Sequence, residues 1–319
     1  MKRVLVTGAT GFVGRALLER LRQEECEVVA AVRAVGTLQP RDGLTEVAVG
    51  DLTLFDDWAS LLQGIDTIVH LAARVHQMNE DEAQAEQRYR LANVEVTRRL
   101  AEAAQQAGVK CFLFVSSIKV NGEGGTNTIR ADDAPMPSDA YARSKCEAEA
   151  LLRRLTATGD MKHIIFRPPL MYGPGVKANM YALLRWVDRR RPWPFGAMEN
   201  RRSLLFVGNM ADAIVTALRD PRALQKTYLL ADGPAVSTSD ILRAVAVAME
   251  QPIWMAPLSG RLAGRLLALA GRQDLRRRLF GSLVVDGAPF CADTGWTPPR
   301  SLADGLKATV AWYREEGHR

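Results

Sequence analysis

Cysteine is scarce in this sequence, and its spacing lacks the patterns of cross-linked or metal-bound proteins. Four cysteines occur among 319 residues, and none of them forms a C-x-x-C pair with another. The count and spacing exclude a disulfide framework of the small secreted type and give no support to a metal site. We expect reduced thiols with structural roles and no bound metal.

Long apolar runs are missing as well. No run approaches the roughly 20 apolar residues of a transmembrane helix, and a strand-like segment begins directly after Met1-Lys2-Arg3, leaving no room for a secretory signal. We therefore expect a cytoplasmic protein without stable membrane insertion. The apolar stretch 261–270 begins with an arginine, and its shortness favours a core or lid helix over a membrane-surface helix.

Charge is unevenly distributed, although the composition is that of a globular protein with 47% hydrophobic and 24% charged residues. Residues 1–160 carry 19 Lys and Arg against 23 Asp and Glu, a net charge of −4, whereas residues 161–319 carry 23 against 13, a net charge of +10. The basic half indicates an anionic ligand. Because no nucleic-acid-binding motif or aromatic-interleaved basic stripe is present, a phosphorylated small molecule is favoured over nucleic acid.

Short apolar runs alternate with helical patterns in the first half of the chain. Strands are predicted at 4–6, 28–32, 45–49, 67–70, 112–115 and 164–166, and helices at 11–24 and 92–107. This alternation predicts the α/β class, with a Rossmann-type doubly wound parallel sheet and a smaller C-terminal substrate-binding lobe. We expect a dinucleotide-binding domain over 1–165, its sheet completed by later strands, and a lobe built mainly from 166–319.

A glycine-rich segment, residues 7–14, separates the first predicted strand from the first predicted helix. Gly8 permits the tight turn, Gly11 lets the backbone approach a pyrophosphate, and Gly14 lets helix and strand pack closely. The N-terminus of the helix favours the phosphate charge. The segment predicts a dinucleotide site that also includes Thr10, Phe12 and Val13.

The ends of the next two strands bear on cofactor choice. Arg33 ends the second strand 19 residues after Gly14, where a carboxylate would bind the ribose 2′-hydroxyl of NAD(H) and an arginine can accept a 2′-phosphate. NADP(H) is therefore favoured, with NAD(H) as the alternative. Asp51, followed by Leu52, comes after the third strand and is placed to accept a hydrogen bond from an adenine amino group.

A tyrosine, a lysine and a serine form the candidate catalytic set. Tyr141 and Lys145 are four residues apart and share one face of a helix. A cation beside a phenol lowers the pKa of the phenol and eases proton exchange with a carbonyl or alcohol oxygen. Ser117 follows a predicted parallel strand, at the sheet edge where ligands bind, and can hydrogen-bond the same oxygen.

These segments together resemble the extended short-chain dehydrogenase/reductase superfamily of nucleotide-sugar epimerases, dehydratases and reductases. The resemblance implies a Ser117-Tyr141-Lys145 catalytic triad. It also implies that Leu71, Ala72 and Ala73 line the cofactor, that Lys145 binds the nicotinamide ribose, and that Pro168 contacts the nicotinamide. It spans nearly the whole chain, in the order Thr7 to Gly14, His70-Leu-Ala-Ala73, Ser116-Ser117, Tyr141 to Lys145, Arg167-Pro168, Tyr172-Gly-Pro174, Arg202-Ser203 and Gly295-Trp296-Thr-Pro298.

One departure narrows the function that the resemblance implies. Hexose 4,6-dehydratases follow the catalytic hydroxyl with Asp-Glu, whereas this sequence has Ile118-Lys119. Further segments resemble bacterial O-antigen reductases that convert UDP-linked 2-acetamido-2,6-dideoxy-4-ketohexose to UDP-N-acetylquinovosamine or UDP-N-acetylfucosamine. Two alternatives stay open, an NAD-dependent UDP-hexose 4-epimerase and a non-catalytic regulator that senses a dinucleotide. The reductase-like segments are 73–79, 117–122, 175–179, 200–203 and 281–286.

The resemblance also implies a binding site for the UDP-sugar. Asn179 and Arg202 would hold the diphosphate, and the backbone from Trp193 to Phe195 would meet the uracil, while the two aromatic side chains either line the site or belong to the core. Arg74 and Lys119 are expected to face the substrate. The resemblance further suggests a homodimer paired through the helices near 92–107 and 141–154, and it assigns no role to His76 or to Arg276–Arg278.

Overall fold

The computed structural model describes residues 2–75, 82–258 and 280–316. His76, the stretch 261–270 and Arg276–Arg278 lie outside the described residues. The strands are β1 (Arg3–Thr7), β2 (Glu27–Val32), β3 (Leu44–Ala48), β4 (Thr67–His70), β5 (Cys111–Val115), β6 (Thr128–Ile129), β7 (Lys162–Arg167), β8 (Leu170–Tyr172), β9 (Leu204–Phe206), β10 (Lys226–Leu229) and β11 (Val284–Val285).

The helices connect these strands and cover the sheet. The α-helices are α1 (Phe12–Leu21), α2 (Trp58–Leu61), α3 (Glu82–Tyr89), α4 (Val96–Gln106), α5 (Ala140–Leu155), α6 (Ala178–Asp188), α7 (Val207–Arg219), α8 (Thr238–Ala248), α9 (Ala288–Thr294) and α10 (Leu302–Glu316). A π-helical segment, Arg90–Glu95, joins α3 to α4, and short 3₁₀ segments lie at Ile118–Asn121 and Pro221–Ala223.

Seven strands form one sheet in the order β10-β7-β5-β4-β1-β2-β3, and every pairing in it is parallel. The chain reverses its direction of winding between β1 and β4, so the carboxyl ends of these strands border the crevice where such folds bind ligands. The predicted Rossmann-type doubly wound sheet is confirmed.

The sheet is buried on both faces because its strands are almost wholly apolar. Side chains alternate between the faces, so Val4 and Val6 pack with α1 and α7, whereas Leu5 packs with α4 and α5. α7 packs on this sheet and β10 is its edge strand, although both come from the second half of the chain. The proposed division at residue 165 lies within β7 and stays a prediction.

A separate apolar cluster forms the core of the smaller lobe. It joins α6, α8 and α10 around Met180, Leu184, Leu242 and Val310. The strands outside the main sheet form two short parallel pairs, β8 with β9 and β6 with β11. Within the described ranges, no helix is long and apolar enough to cross a membrane.

Candidate active site

The glycine loop is held against the end of β4 so closely that side chains are excluded. Gly8 has a φ of +69°, and a Cβ there would lie 2.7 Å from the backbone nitrogen of Ala72. A Cβ on Gly14 would lie 2.3 Å from the carbonyl oxygen of Gly8. The Ala72 amide donates to Thr7 Oγ1 at 3.3 Å, so the predicted cofactor-lining segment is fixed beside the loop.

The N-terminus of α1 suits a phosphate group. Its N-cap residue, Gly11, offers no side-chain acceptor, and its first turn contains no acidic residue. The positive end of the helix therefore faces a loop of glycine backbone. Phe12 and Val13 pack against the apolar cluster of the smaller lobe, and Arg15 Nε donates to the Thr10 carbonyl at 3.0 Å. The N-terminus of α1 and the glycine loop before it therefore fit the diphosphate group of a dinucleotide.

Arg33 and Asp51 lie near each other at the end of the β2–β3 pair. Both are exposed. Hydrogen bonds from the backbone and hydroxyl of Thr53, each 2.9 Å long, lower the pKa of Asp51, and the charge of Arg33 lowers it further. Arg99 fixes the segment after Asp51 by donating to the carbonyls of Leu52 and Thr53 at 3.0 and 2.8 Å.

The candidate catalytic residues converge where β5 and β7 end. The Ile118 amide donates to the Pro168 carbonyl at 3.1 Å, which places Ser117 beside the residue expected at the nicotinamide. The Ser117 hydroxyl hydrogen-bonds the Tyr141 hydroxyl and accepts from the Lys119 amide at 3.2 Å. The structure thus brings Ser117, Tyr141 and Pro168 together.

The protonation of Tyr141 differs from the expectation. Burial raises the pKa of Tyr141 to about 12, the Ser117 hydrogen bond opposes this rise, and the charge of Asp139 adds to it. Lys145 is only 2% exposed, and burial lowers its pKa to about 7 against the opposing effect of Glu149. The Lys145 ammonium lies 4.1 Å from the centroid of the Phe114 ring. Burial therefore outweighs any lowering of the Tyr141 pKa by Lys145.

Asn93, which the sequence did not single out, connects three parts of the site. It lies in the π-helical segment, is buried, and accepts from the Arg74 amide at 2.8 Å. Its Nδ2 donates to the Arg74 carbonyl at 3.1 Å and to Ser144 Oγ at 2.9 Å. Asn93 therefore ties the segment after β4 to α5, the helix that carries Tyr141 and Lys145.

A buried ion pair contacts the same helix one turn after Lys145. Arg167 donates to both carboxylate oxygens of Glu149, at 2.9 and 2.6 Å, and both side chains are almost fully buried. Burial acts to raise the pKa of Glu149, but the hydrogen bonds and charge of Arg167 leave it lowered. Arg167 belongs to one of the segments that carry the family resemblance, but its partner Glu149 lies 18 residues away and is not indicated by that segment.

The residues predicted for the sugar nucleotide lie in different settings. Arg202 forms a backbone bridge with Val236 at 2.8 and 3.0 Å, and burial lowers the pKa of its guanidinium against the charge of Glu123. Asn179 is exposed in the first turn of α6. The Arg74 guanidinium lies 5.8 Å from the centroid of the Tyr89 ring.

The remaining three members of the predicted substrate set, Trp193, Phe195 and Lys119, have clear partners. Trp193 is 4% exposed, and its ring lies 5.6 Å from that of Phe195 within the apolar cluster of the smaller lobe. Trp193 therefore belongs to the core, whereas Phe195 is half-buried and packs against the edge of this cluster. The Lys119 ammonium contacts Asp139 at 2.5 Å. Its expected contact with the substrate stays a prediction.

The fold and site together define a class, a dinucleotide-binding α/β protein with a serine, tyrosine and lysine at the carboxyl edge of its sheet. The chain belongs to the NAD dependent epimerase/dehydratase family, whose model matches residues 4–231. Among the described residues, no group of three or more His, Cys, Asp or Glu side chains could hold a metal ion.

Relatives of this chain cover it almost completely. It is 39% identical over 325 residues to a UDP-glucose 4-epimerase of Vibrio cholerae, covering 100% of this chain and 97% of that protein. It is 26% identical to an N-acetyl-α-D-glucosaminyl-diphospho-ditrans,octacis-undecaprenol 4-epimerase of Escherichia coli O157:H7, covering 97% and 94%. The solved structure of MoeE5 in complex with UDP-glucuronic acid and NAD is 27% identical, has a TM-score of 0.77 and covers 98% and 99%.

Proposed function

We propose that this protein transfers a hydride between a nicotinamide dinucleotide and C4 of a UDP-linked hexose. The Ser117, Tyr141 and Lys145 arrangement at the end of β5 supports this reaction, and the relatives that act on or bind UDP-sugars support the substrate class. The glycine loop and Ala72 would hold the dinucleotide.

In more detail, we propose NADPH-dependent reduction of the C4 ketone of a UDP-4-keto-6-deoxy-N-acetylhexosamine, for surface polysaccharide synthesis. The observation that carries this choice is the pair Ile118-Lys119. Ile118 is buried, and Lys119 is paired with Asp139, so neither supplies the acid and base needed to eliminate water across C5 and C6. This pair argues against dehydration, and the segments that resemble the O-antigen reductases favour reduction of a 4-ketone over epimerisation. Exposed Arg33, with no acid at the end of β2, supports NADPH.

Ser117 and Tyr141 would stabilise and protonate the oxygen at C4. The bound nicotinamide would supply the hydride. The hydroxyls of Ser117 and Tyr141, which contact each other in this structure, would instead each donate a hydrogen bond to the C4 oxygen as negative charge develops on it. Tyr141 would then deliver the proton, which its raised pKa allows because the phenol stays protonated at neutral pH. Lys145, buried beside Phe114, would bind the nicotinamide ribose.

The sugar nucleotide would lie between the sheet and the smaller lobe. We propose that Arg202 and Asn179 bind the diphosphate, that the backbone from Trp193 to Phe195 meets the uracil, and that Arg74 faces the sugar. A cytoplasmic location and a homodimer paired through α4 and α5 complete the proposal. The basic second half of the chain supports an anionic ligand in this lobe.

A UDP-hexose 4-epimerase is the second candidate. The specific observation in its favour is the 39% identity with a Vibrio cholerae protein of that name over the whole chain. An epimerase oxidises and re-reduces one sugar with a retained cofactor, so it produces no net change in redox state. The same three residues can serve this cycle, with Tyr141 first accepting and then returning the proton.

Two parallel assays separate these functions. One contains purified protein, NADPH and the UDP-4-keto sugar, and the other contains UDP-N-acetylglucosamine without added cofactor. We expect stoichiometric loss of NADPH absorbance in the first, slowed roughly 100-fold or more by Tyr141→Phe. Interconversion of C4 epimers in the second, with no NADPH loss in the first, would establish the epimerase instead. Absence of both reactions would favour the third hypothesis, a non-catalytic regulator that senses a dinucleotide.

A further inference from the structure

Lys119 lies between two carboxylates at the rim of the site. Its ammonium is 2.5 Å from Asp139 Oδ2 and 3.6 Å from Glu123 Oε1, and its side chain is 34% exposed. Burial acts to lower the pKa of Lys119, but its hydrogen bond to Asp139 and the charges of the nearby carboxylates leave it raised. Lys119 is therefore a fixed positive charge near neutral pH.

Asp139, the closer partner, is linked to Tyr141 through the start of α5. It is the N-cap residue of that helix, and its Oδ1 accepts from the Ala142 amide at 2.7 Å. Tyr141 follows two residues later, and the charge of Asp139 acts on its hydroxyl. One carboxylate oxygen thus fixes the first turn of the helix while the other binds Lys119.

We infer that Lys119 is a positioning residue for Tyr141, which holds Asp139 in its capping geometry and offsets the negative charge that this carboxylate places beside the reacting hydroxyl. The inference rests on the proposed function, in which Tyr141 exchanges a proton with the C4 oxygen. It gives Lys119 a role that needs no contact with the sugar, and it accounts for a lysine just after the catalytic serine.

Other charged and titratable groups surround Tyr141 and must be distinguished from Lys119. Tyr89, at the end of α3, has its ring 6.0 Å from that of Tyr141 and acts to raise its pKa. From α5 itself, Lys145 lies one turn further along, over Phe114. Among the described residues, the charges near the start of α5 also include the ion pair of Arg143 with Glu86 at 3.2 Å, and Glu123, which accepts from Ser138 Oγ at 2.9 Å.

The charge of Lys119 can be removed while its length is kept. Lys119→Met should raise the Tyr141 pKa, because the carboxylate of Asp139 would no longer be neutralised. Asp139→Asn should lower it, because asparagine caps a helix nearly as well as aspartate but carries no charge. The double variant Lys119→Met/Asp139→Asn should lie close to the wild type, since both charges are gone, and Lys119→Arg should rescue the wild-type behaviour.

The readout is kcat at pH 7 for the reaction that the protein catalyses. A phenol with a higher pKa is a weaker proton donor, so in the reductive direction Lys119→Met should lower kcat roughly three-fold to ten-fold and leave the KM for the UDP-sugar within about two-fold. Lys110→Met is the matched control, because Lys110 forms an exposed ion pair with Asp160 just before β5, at the opposite edge of the sheet. An unchanged kcat in Lys119→Met, or a double variant slowed as far as Lys119→Met alone, would overturn the inference.

A second measurement does not depend on turnover. The ¹³C resonance of the Tyr141 phenol carbon, assigned with Tyr141→Phe in the cofactor-loaded protein, reports at pH 7 the electrostatic environment of the hydroxyl. A change of this chemical shift in Lys119→Met, reversed in the double variant, without any turnover would support the role of Lys119 while contradicting the proposed function. Turnover with the chemical shift unchanged in Lys119→Met would contradict the role of Lys119 alone.

Discussion

His70 and Lys145 both contact the ring of Phe114. The His70 ring stacks on it at a centroid distance of 5.8 Å, and the Lys145 ammonium lies 4.1 Å from its centroid. His70 is 1% exposed and bonds Thr7 Oγ1 at 2.6 Å and Thr97 Oγ1 at 3.1 Å. Burial, with a smaller effect of Lys145, lowers the pKa of His70 to about 3. A neutral imidazole therefore places no second cation beside Lys145.

Stability should fall as the pH drops below 6.5, because the unfolded chain protonates His70 while the folded protein does not. The loss begins near the unfolded pKa of about 6.5 and continues down to the folded pKa of about 3. At pH 5 it amounts to about 2 kcal/mol for this one group. Urea unfolding of the wild type and His70→Gln at pH 7 and pH 5 measures it. Equal losses in the two proteins would contradict the assignment.

Gly14→Ala should disrupt the cofactor loop. Its Cβ would lie 2.3 Å from the Gly8 carbonyl oxygen, so the backbone of the loop must move. We expect destabilisation by about 1–3 kcal/mol and weaker cofactor binding, measured by thermal unfolding and fluorescence titration. Gly125→Ala is the control, because a Cβ there has nothing within 4 Å. A Gly14→Ala protein that binds cofactor like the control would show that the close approach is not required.

Arg33→Ala should weaken the binding of NADPH by about ten-fold or more while leaving the binding of NADH almost unchanged. The lost interaction is a charged hydrogen bond to the 2′-phosphate, of order 1.5–3 kcal/mol. Dissociation constants from protein fluorescence would test this. Arg22→Ala is the control, because Arg22 directly follows α1 and forms an exposed ion pair with Glu19 of that helix. An equal loss for NADH and NADPH would remove Arg33 from the cofactor site.

Arg202→Ala should raise the KM for the UDP-sugar by about ten-fold or more and leave NADPH affinity within two-fold, because the two ligands contact different lobes. The neighbouring Arg201 has an exposed side chain, and Arg201→Ala supplies the matched control. If Arg202→Ala unfolded the protein, or weakened both ligands equally, the partly buried guanidinium would be structural.

The sheet could be predicted because each of its strands is marked by a local pattern of apolar residues in the sequence. Continuous apolar runs such as 112–115, spaced by helical patterns, require burial on both faces, and the glycines at 8, 11 and 14 are spaced for a phosphate-binding turn. The structure confirms the predicted sheet and places the loop at the carboxyl end of β1, beside Ala72.

The supporting residues could not be predicted because their roles depend on tertiary contacts. The predicted helix at 92–107 contains a π-helical start, and only the fold shows that Asn93 there reaches both Arg74 and Ser144. The Tyr141 pKa was expected to be low from the spacing to Lys145. Burial, which spacing does not report, raises it instead.

The transfer of hydrogen from the cofactor to C4 is the central claim, and isotope labelling tests it most directly. The protein is supplied with the UDP-4-keto sugar and NADPH that carries deuterium at both hydrogen positions of C4 of the nicotinamide, and the product is analysed by mass spectrometry and NMR. The account predicts one deuterium at C4 of the sugar for each NADPH oxidised, and far slower incorporation with Tyr141→Phe. Epimerised sugar without deuterium, formed with no consumption of NADPH, would contradict it.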